Sequence, residues 1–179
     1  MKKIGIAGCG GIGSNTAVNL VRSGVDNLLL VDFDIVERSN LNRQFYFNDQ
    51  IGMSKAESLL SNLKRILPEC KGNFEVARLN SDNIKDVFRD CDIIVEAFDR
   101  PEMKKMLYEA FIDSDKIIVG ANGISGSSLD GIIERNIGNL TVIGDFKSDC
   151  RYERVYSHKV QAIVARITDA VLKRGGYYE

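Results

Sequence analysis

The sequence predicts an α/β fold, a doubly wound and mostly parallel sheet with helices on both faces. Short apolar runs alternate along the chain with segments that repeat apolar residues at helical spacing, which is the order of elements in such folds. The runs at residues 28–31 and 93–98 are apolar almost throughout, as expected of strands covered on both faces. A glycine-rich turn joins the first strand to the first helix, so the arrangement is Rossmann-like.

The remaining boundaries follow from capping residues and breakers. Ser54 with Glu57 forms a capping box that begins a helix, and Pro101 suits the first position of another. Strands are predicted at residues 4–7, 28–31, 74–79, 93–98, 117–119, 132–133 and 140–143. Helices are predicted from the glycine turn to Gly24, and at residues 54–67, 84–88, 101–111 and 157–173. The polar stretch at residues 34–52 is long for a connection, and such loops are usually functional or disordered.

Composition excludes several classes of protein. A net charge of −1, from 24 basic and 25 acidic residues, provides no positive field for nucleic acid. No apolar run approaches the roughly 20 residues that span a bilayer, so we expect no membrane partner. The four cysteines form no C-x-x-C pair, which excludes a zinc-ribbon pattern and fits a reducing cytoplasm.

Gly8, Gly10 and Gly13 form G-x-G-x-x-G between a strand and a helix, where backbone N–H groups can bind phosphate. Asp32 follows the second strand, a position from which a carboxylate commonly accepts hydrogen bonds from ribose hydroxyls. These features alone favour a nicotinamide-dependent oxidoreductase. That alternative stays open at this point.

Further polar residues follow Asp32, and they suit a triphosphate better than a diphosphate. The pattern D-F-D-x-V-x-x-S-N-L-N-R-Q occupies residues 32–44, I-G-x-x-K occupies residues 51–55, and Asp99 follows a later strand. Together these motifs resemble the ATP site of the ThiF/MoeB branch of the ubiquitin-activating superfamily, most closely the short form of ThiF. The resemblance spans residues 3 to about 120, so we expect one adenylyltransferase domain over residues 1–179. Its nucleotide-binding core would be residues 1–120, followed by carboxyl-terminal strands and a helix at residues 121–179.

The resemblance implies ATP and magnesium as cofactors. It implies adenylylation of the C-terminal carboxylate of a ubiquitin-like sulfur carrier ending in Gly-Gly, most like ThiS, in thiamine biosynthesis. A homodimer is also implied. The residues implied in nucleotide binding are Gly8, Gly10, Gly11, Gly13, Asp32 at the ribose, Asn40 and Arg43 at the phosphates, Gln44, and Lys55 near the α-phosphate. Arg43, Lys55 and Asp99 would be catalytic, with Asp99 holding magnesium.

The residue types suit this reaction. An α-carboxyl group has a pKa of about 3.5, so the carrier's nucleophile is ionised at neutral pH and needs no general base. The barrier comes from bringing an anion to a polyanion, so catalysis should consist of positioning and cationic stabilisation.

Several features depart from the resemblance. Many relatives bind a structural zinc through two C-x-x-C pairs. This sequence contains no C-x-x-C pair, so no zinc is expected here. Relatives usually carry an amino-terminal arm that lends an arginine to the partner subunit. Here either the chain is a shortened form or another residue substitutes. A non-catalytic nucleotide-binding subunit and an enzyme that activates a tRNA-bound carboxylate therefore remain alternatives.

Outside the motif, Cys150 lies in a polar segment beside Arg151, which could lower its pKa and expose a thiolate for a covalent link to the carrier. An unreactive surface thiol is the alternative. His158, the only histidine, is expected near a helix start without a catalytic role.

Overall fold

A computed structural model describes residues 2–178. The strands are β1 (Ile4–Ala7), β2 (Leu28–Val31), β3 (Asn73–Glu75), β4 (Ile93–Glu96), β5 (Ile117–Ala121), β6 (Ile133–Ile137) and β7 (Leu140–Gly144). The helices are α1 (Gly11–Arg22), α2 (Lys55–Ile66), α3 (Ile84–Val87), α4 (Pro101–Phe111) and α5 (Ser157–Gly175). Short 3₁₀ turns at Arg38–Asn40 and Asn48–Gln50 lie in the long connection between β2 and α2.

The seven strands form one sheet in the order β3-β2-β1-β4-β5-β7-β6. All neighbours pair in parallel except β6, which pairs antiparallel with β7. The predicted fold class is therefore confirmed. The strand order reverses between β1 and β4, and in doubly wound sheets ligands bind at the carboxyl ends of the strands beside such a point.

Helices cover both faces of the sheet. One core cluster packs α1, α2 and α5 against one face, and a second packs α3 and α4 against the other. Neighbouring strand residues alternate between the two, since Ile93 belongs to the first cluster and Ile94 to the second. The strands are buried on both faces for this reason, as their apolar runs indicate.

Several predicted boundaries differ from the structure. For example, β4 ends at Glu96 rather than at residue 98, and β6 spans Ile133–Ile137 rather than residues 132–133. The strand expected at residues 74–79 ends at Glu75, because β3 is an edge strand that pairs only over the three residues facing β2. Val76 is exposed as a result. The last helix extends to Gly175 and ends at Gly176, whose φ of +73° is favourable only for glycine. Ser54 does cap α2, accepting a hydrogen bond from the N–H of Glu57.

Within residues 2–178, no helix has both the length and the apolar character that crossing a bilayer requires.

Candidate nucleotide site

The glycine turn connects β1 to α1 and requires glycine at two positions for steric reasons. Gly8 has a φ of +95°, and a Cβ there would lie 3.0 Å from the carbonyl oxygen of Ala97. A Cβ at Gly13 would overlap the carbonyl oxygen of Gly8. Gly10 precedes α1 and has no side chain to cap it, so the first N–H groups of the helix point toward the turn. This arrangement can bind a phosphate group.

Asp32 lies at the end of β2, beside the turn. Its carboxylate accepts hydrogen bonds from the N–H of Cys9 at 2.6 Å and from the N–H of Asp34 at 2.8 Å. Burial raises the pKa of Asp32, against the lowering effect of these two N–H groups and of Lys55. A carboxylate has about four acceptor positions, so two remain for ribose hydroxyls.

The long connection after β2 is fixed against the turn. The Tyr46 hydroxyl lies 2.7 Å from the carbonyl oxygen of Cys9 and 3.2 Å from that of Lys55. Asn15 in α1 donates hydrogen bonds to the carbonyl oxygens of Gly11 and Arg43, at 2.6 and 2.8 Å. The connection is therefore ordered against the glycine turn, and its role in binding a ligand stays a prediction.

Arg43 and Gln44 lie directly over the glycine turn. The nearest atoms to a Cβ at Gly11 include the Arg43 Cγ at 3.7 Å, and the Gln44 Nε2 would lie 3.7 Å from a Cβ at Gly10. The Gln44 Oε1 is buried without a hydrogen-bond partner in the described part of the chain. The Arg43 Nη1 donates to the Ser39 carbonyl oxygen at 3.1 Å. Both side chains could reach a nucleotide bound at the turn.

Asn40 is buried and supports the same connection. Its Oδ1 accepts a hydrogen bond from the N–H of Glu37 at 3.0 Å, and its Nδ2 lies 3.4 Å from the Ser39 Oγ. The carboxamide thus closes the 3₁₀ turn that precedes Arg43. Its contact with phosphate stays a prediction.

Lys55 is the first residue of α2 and its side chain is only 9% exposed. Its Nζ lies 3.1 Å from the Oδ2 of Asp34, whose side chain is 49% exposed. The lysine is therefore held in place by a carboxylate that remains open to solvent. Sequence reasoning placed Lys55 in the site but assigned no role to Asp34.

Asp99 follows β4 on the other side of the turn. It is exposed, whereas the preceding Phe98 lies 3.6 Å from a Cβ at Gly8. No group of three or more His, Cys, Asp or Glu residues that could hold a metal occurs among residues 2–178. Magnesium commonly binds through one or two carboxylates together with substrate phosphates, so Asp99 fits a metal shared with a nucleotide.

Sequence reasoning missed Glu96, the last residue of β4. It is fully buried, and its carboxylate accepts hydrogen bonds from the Lys104 Nζ at 2.9 and 3.0 Å and from the Tyr108 hydroxyl at 2.8 Å. Burial and the neighbouring carboxylate raise the pKa of Tyr108. The sequence feature that could have identified Glu96 is its charge within the otherwise apolar run at residues 93–98.

The segment around Cys150 is exposed and contains a local ion pair. Cys150 is exposed, but the Arg151 guanidinium pairs with Asp149, with Nη2 2.6 Å from Oδ2. A covalent link between Cys150 and the carrier stays a prediction, with an unreactive surface thiol as the alternative. His158 is exposed, with Nε2 2.8 Å from the Ser127 carbonyl oxygen. Cys9 is buried, and burial raises its pKa well above the usual value.

The sequence model of the ThiF family matches residues 1–169. The chain belongs to the ThiF family. Adenylyltransferase and sulfurtransferase UBA4 of Candida glabrata is 35% identical over 123 residues, which are 68% of this chain and 28% of that protein. Adenylyltransferase and sulfurtransferase MOCS3 of Drosophila persimilis is 34% identical over 152 residues, 84% of this chain and 31% of that protein. The ThiF-family chain thus spans less than a third of the length of these curated relatives.

Solved structures share the fold at lower identity. The tRNA N6-threonylcarbamoyladenosine dehydratase TcdA of E. coli, in complex with ATP, has a TM-score of 0.80 and 19% identity, and the match covers 99% of this chain and 88% of that one. E. coli MccB with ATP has a TM-score of 0.79 and 20% identity, and the match covers 99% of this chain and 57% of that one. Fold and family therefore agree with the resemblance drawn from residues 32–44, 51–55 and 99.

Proposed function

We propose that the protein is an adenylyltransferase that uses ATP and magnesium to activate the C-terminal carboxylate of a ubiquitin-like sulfur carrier ending in Gly-Gly. The observation that carries the proposal is the buried Lys55, held by Asp34 beside Asp32 and the glycine turn. Asp34 accepts a hydrogen bond from one of the three N–H donors of the Lys55 ammonium group, so the others can bind the oxygens of an anionic ligand. Family relatives named adenylyltransferases support the same activity.

In this proposal each residue has a distinct task. Asp32 accepts hydrogen bonds from the ribose, and the start of α1 binds phosphate oxygens. Arg43 provides a planar fork for two phosphate oxygens, and Lys55 a point charge near the α-phosphate. Magnesium held by Asp99 would neutralise charge on the leaving pyrophosphate. Attack of the carrier carboxylate on the α-phosphorus forms the acyl-adenylate and breaks the bond to pyrophosphate.

A nicotinamide-dependent oxidoreductase is the competing assignment, because the turn and Asp32 would also suit a dinucleotide. The cations and the carboxylate beyond the turn favour ATP, since binding a diphosphate does not require an additional arginine, lysine and carboxylate. A titration of the purified protein with ATP and with NAD separates the two. Tight binding of NAD without binding of ATP would reverse the assignment.

The direct test of activity is exchange of labelled pyrophosphate into ATP. We expect exchange only when a carrier ending in Gly-Gly is added, with a ThiS-like carrier as the best substrate, consistent with a role in thiamine biosynthesis. Absence of exchange across a panel of ThiS-like and MoaD-like carriers contradicts the proposal. Exchange that needs a second protein besides the carrier would instead indicate a nucleotide-binding subunit that depends on a partner.

A tRNA-bound carboxylate is a less suitable acceptor. The net charge of −1 offers no excess of cations for the tRNA backbone. Replacing the carrier by tRNA in the same exchange assay tests this, and we expect no exchange.

A further inference from the structure

Glu96, Lys104 and Tyr108 form a buried polar cluster that the proposed chemistry does not use. The Glu96 side chain is 0% exposed and that of Lys104 is 21% exposed. Gly120 in β5 faces the cluster, and a Cβ there would lie 2.6 Å from the Tyr108 hydroxyl and 2.8 Å from the Glu96 Oε2. A side chain at position 120 would therefore collide with the cluster, and glycine at this position of β5 leaves room for it.

The cluster forms hydrogen bonds with the chain on both sides of Asp99. The Glu96 Oε1 accepts a hydrogen bond from the N–H of Phe98 at 2.8 Å, which fixes the residue before Asp99. Lys104 lies in the first turn of α4, which begins two residues after Asp99, and its Nζ is bound to the same carboxylate. The Lys104 Nζ also donates to the Ala121 carbonyl oxygen at 3.0 Å, so the first turn of α4 is tied to the end of β5 as well.

Stability alone does not explain such a pair. Buried ion pairs are often no more stable than apolar residues of the same volume, because desolvation offsets their attraction. Asp99 itself is exposed and lies outside α4, since Arg100 is the residue that precedes the helix. Backbone hydrogen bonds hold the connection at Ala97, whose N–H donates to the carbonyl oxygen of Ala7, and at Arg100, whose carbonyl oxygen accepts from Lys104, and the cluster adds side-chain bonds between these two points.

We propose that Glu96 and Lys104 are positioning residues that hold the Asp99 carboxylate where it can share magnesium with the nucleotide. The inference rests on the proposed function, in which Asp99 is the metal-holding group. Residues that orient a metal ligand typically change metal affinity by about 10- to 100-fold when replaced.

The experiment is calorimetric titration with ATP, in excess magnesium and in EDTA, for the wild type, Glu96→Gln and Lys104→Gln. We expect each variant to bind ATP about tenfold more weakly in magnesium and equally well in EDTA. Lys105→Gln is the matched control, because Lys105 forms only an exposed pair with Glu109 on the same helix. It should bind ATP like the wild type in both conditions. Two separate substitutions guard against one that fails to fold, and thermal unfolding identifies such a variant.

A double-mutant cycle with Asp99→Asn decides between positioning and a general structural role. If Glu96 acts through Asp99, Glu96→Gln should have no further effect on ATP binding in the Asp99→Asn background. An equal loss of affinity in EDTA, or an undiminished loss in that background, overturns the inference. Either result leaves the proposed function intact when the wild type still catalyses carrier-dependent exchange, whereas a wild type without exchange contradicts the proposed function itself.

Discussion

Individual residues at the glycine turn have separable roles. Gly13 is needed because α1 approaches β1 closely, whereas Gly10 has only the Gln44 Nε2 near the position of a Cβ. Gly13 is thus required because the backbone packs closely there, whereas Gly10 leaves space for a ligand.

Gly13→Ala and Gly10→Ala test that division. Gly13→Ala should lower the free energy of unfolding by about 2 kcal/mol or more, since a Cβ there overlaps backbone. Gly10→Ala should fold normally and weaken ATP binding, because the added methyl occupies space beside the helix start. Urea titration and calorimetry measure the two effects. A stable Gly13→Ala protein would contradict the argument.

Lys55 and Arg43 should dominate catalysis. Removing one preorganised charge-stabilising donor commonly costs about 100-fold or more in rate, so Lys55→Ala and Arg43→Ala should reduce pyrophosphate exchange by at least that factor. Lys64→Ala, an exposed lysine on the same helix, is the control and should retain full exchange. Full activity in Lys55→Ala would remove the proposal's main support.

Much of this site could be predicted from sequence, because its residues lie at strand ends and in one continuous motif. The places of the glycines and of Asp32 follow from the βαβ pattern. Asp34 and Glu96 could not be placed in the same way, since their roles depend on Lys55 and Lys104. The pairing of Arg151 with Asp149 likewise does not follow from the motif. Pairing between side chains is set by rotamers that a motif does not encode.

Among the structural elements, α5 is the one that completes the site from the carboxyl-terminal third. Its Lys159 is buried and its Nζ lies 2.6 Å from the Oδ2 of Asp145, which follows β7. The next residue, Val160, lies 3.6 Å from a Cβ at Gly11. The ion pair thus holds the start of α5 at the end of β7, where Val160 packs beside the start of α1.

Asp145→Asn should lower the free energy of unfolding by about 3 kcal/mol at neutral pH, because it leaves Lys159 buried without its partner. Partial burial would raise the pKa of Asp145, but the Lys159 hydrogen bond and the Ser148 and Lys147 N–H groups hold it well below 3.8. A lowered folded-state pKa means that this stability is complete above pH 3.8 and declines as pH falls below it.

Urea titrations of the wild type and Asp145→Asn at a series of pH values measure this. The difference between the two proteins should be constant from neutral pH to about pH 4 and smaller below it. Asp86→Asn, which loses an exposed pair with Arg89, is the control and should differ little from the wild type at any pH. A difference that grows on acidification would contradict the assigned pKa direction.

For the whole molecule, strand order and the two helical layers follow from the alternation of apolar runs and amphipathic segments. All five residues of β6 are exposed, so it has no such pattern, and the sequence predicts a strand there only at residues 132–133. Assembly is a further prediction at this scale. We expect a homodimer, measurable as twice the chain mass of 19.9 kDa by light scattering. A monomer at working concentration would mean that each ATP site is built from one chain.

Transfer of an adenylyl group to the carrier's carboxylate would change the mass of the carrier, which mass spectrometry measures. A ThiS-like carrier incubated with the protein, ATP and magnesium should gain the mass of one adenylyl group at its C-terminal glycine, with release of pyrophosphate. A carrier lacking that glycine should gain none. An unchanged carrier mass, or the gain of a phosphoryl group instead, would exclude adenylyl transfer by this protein.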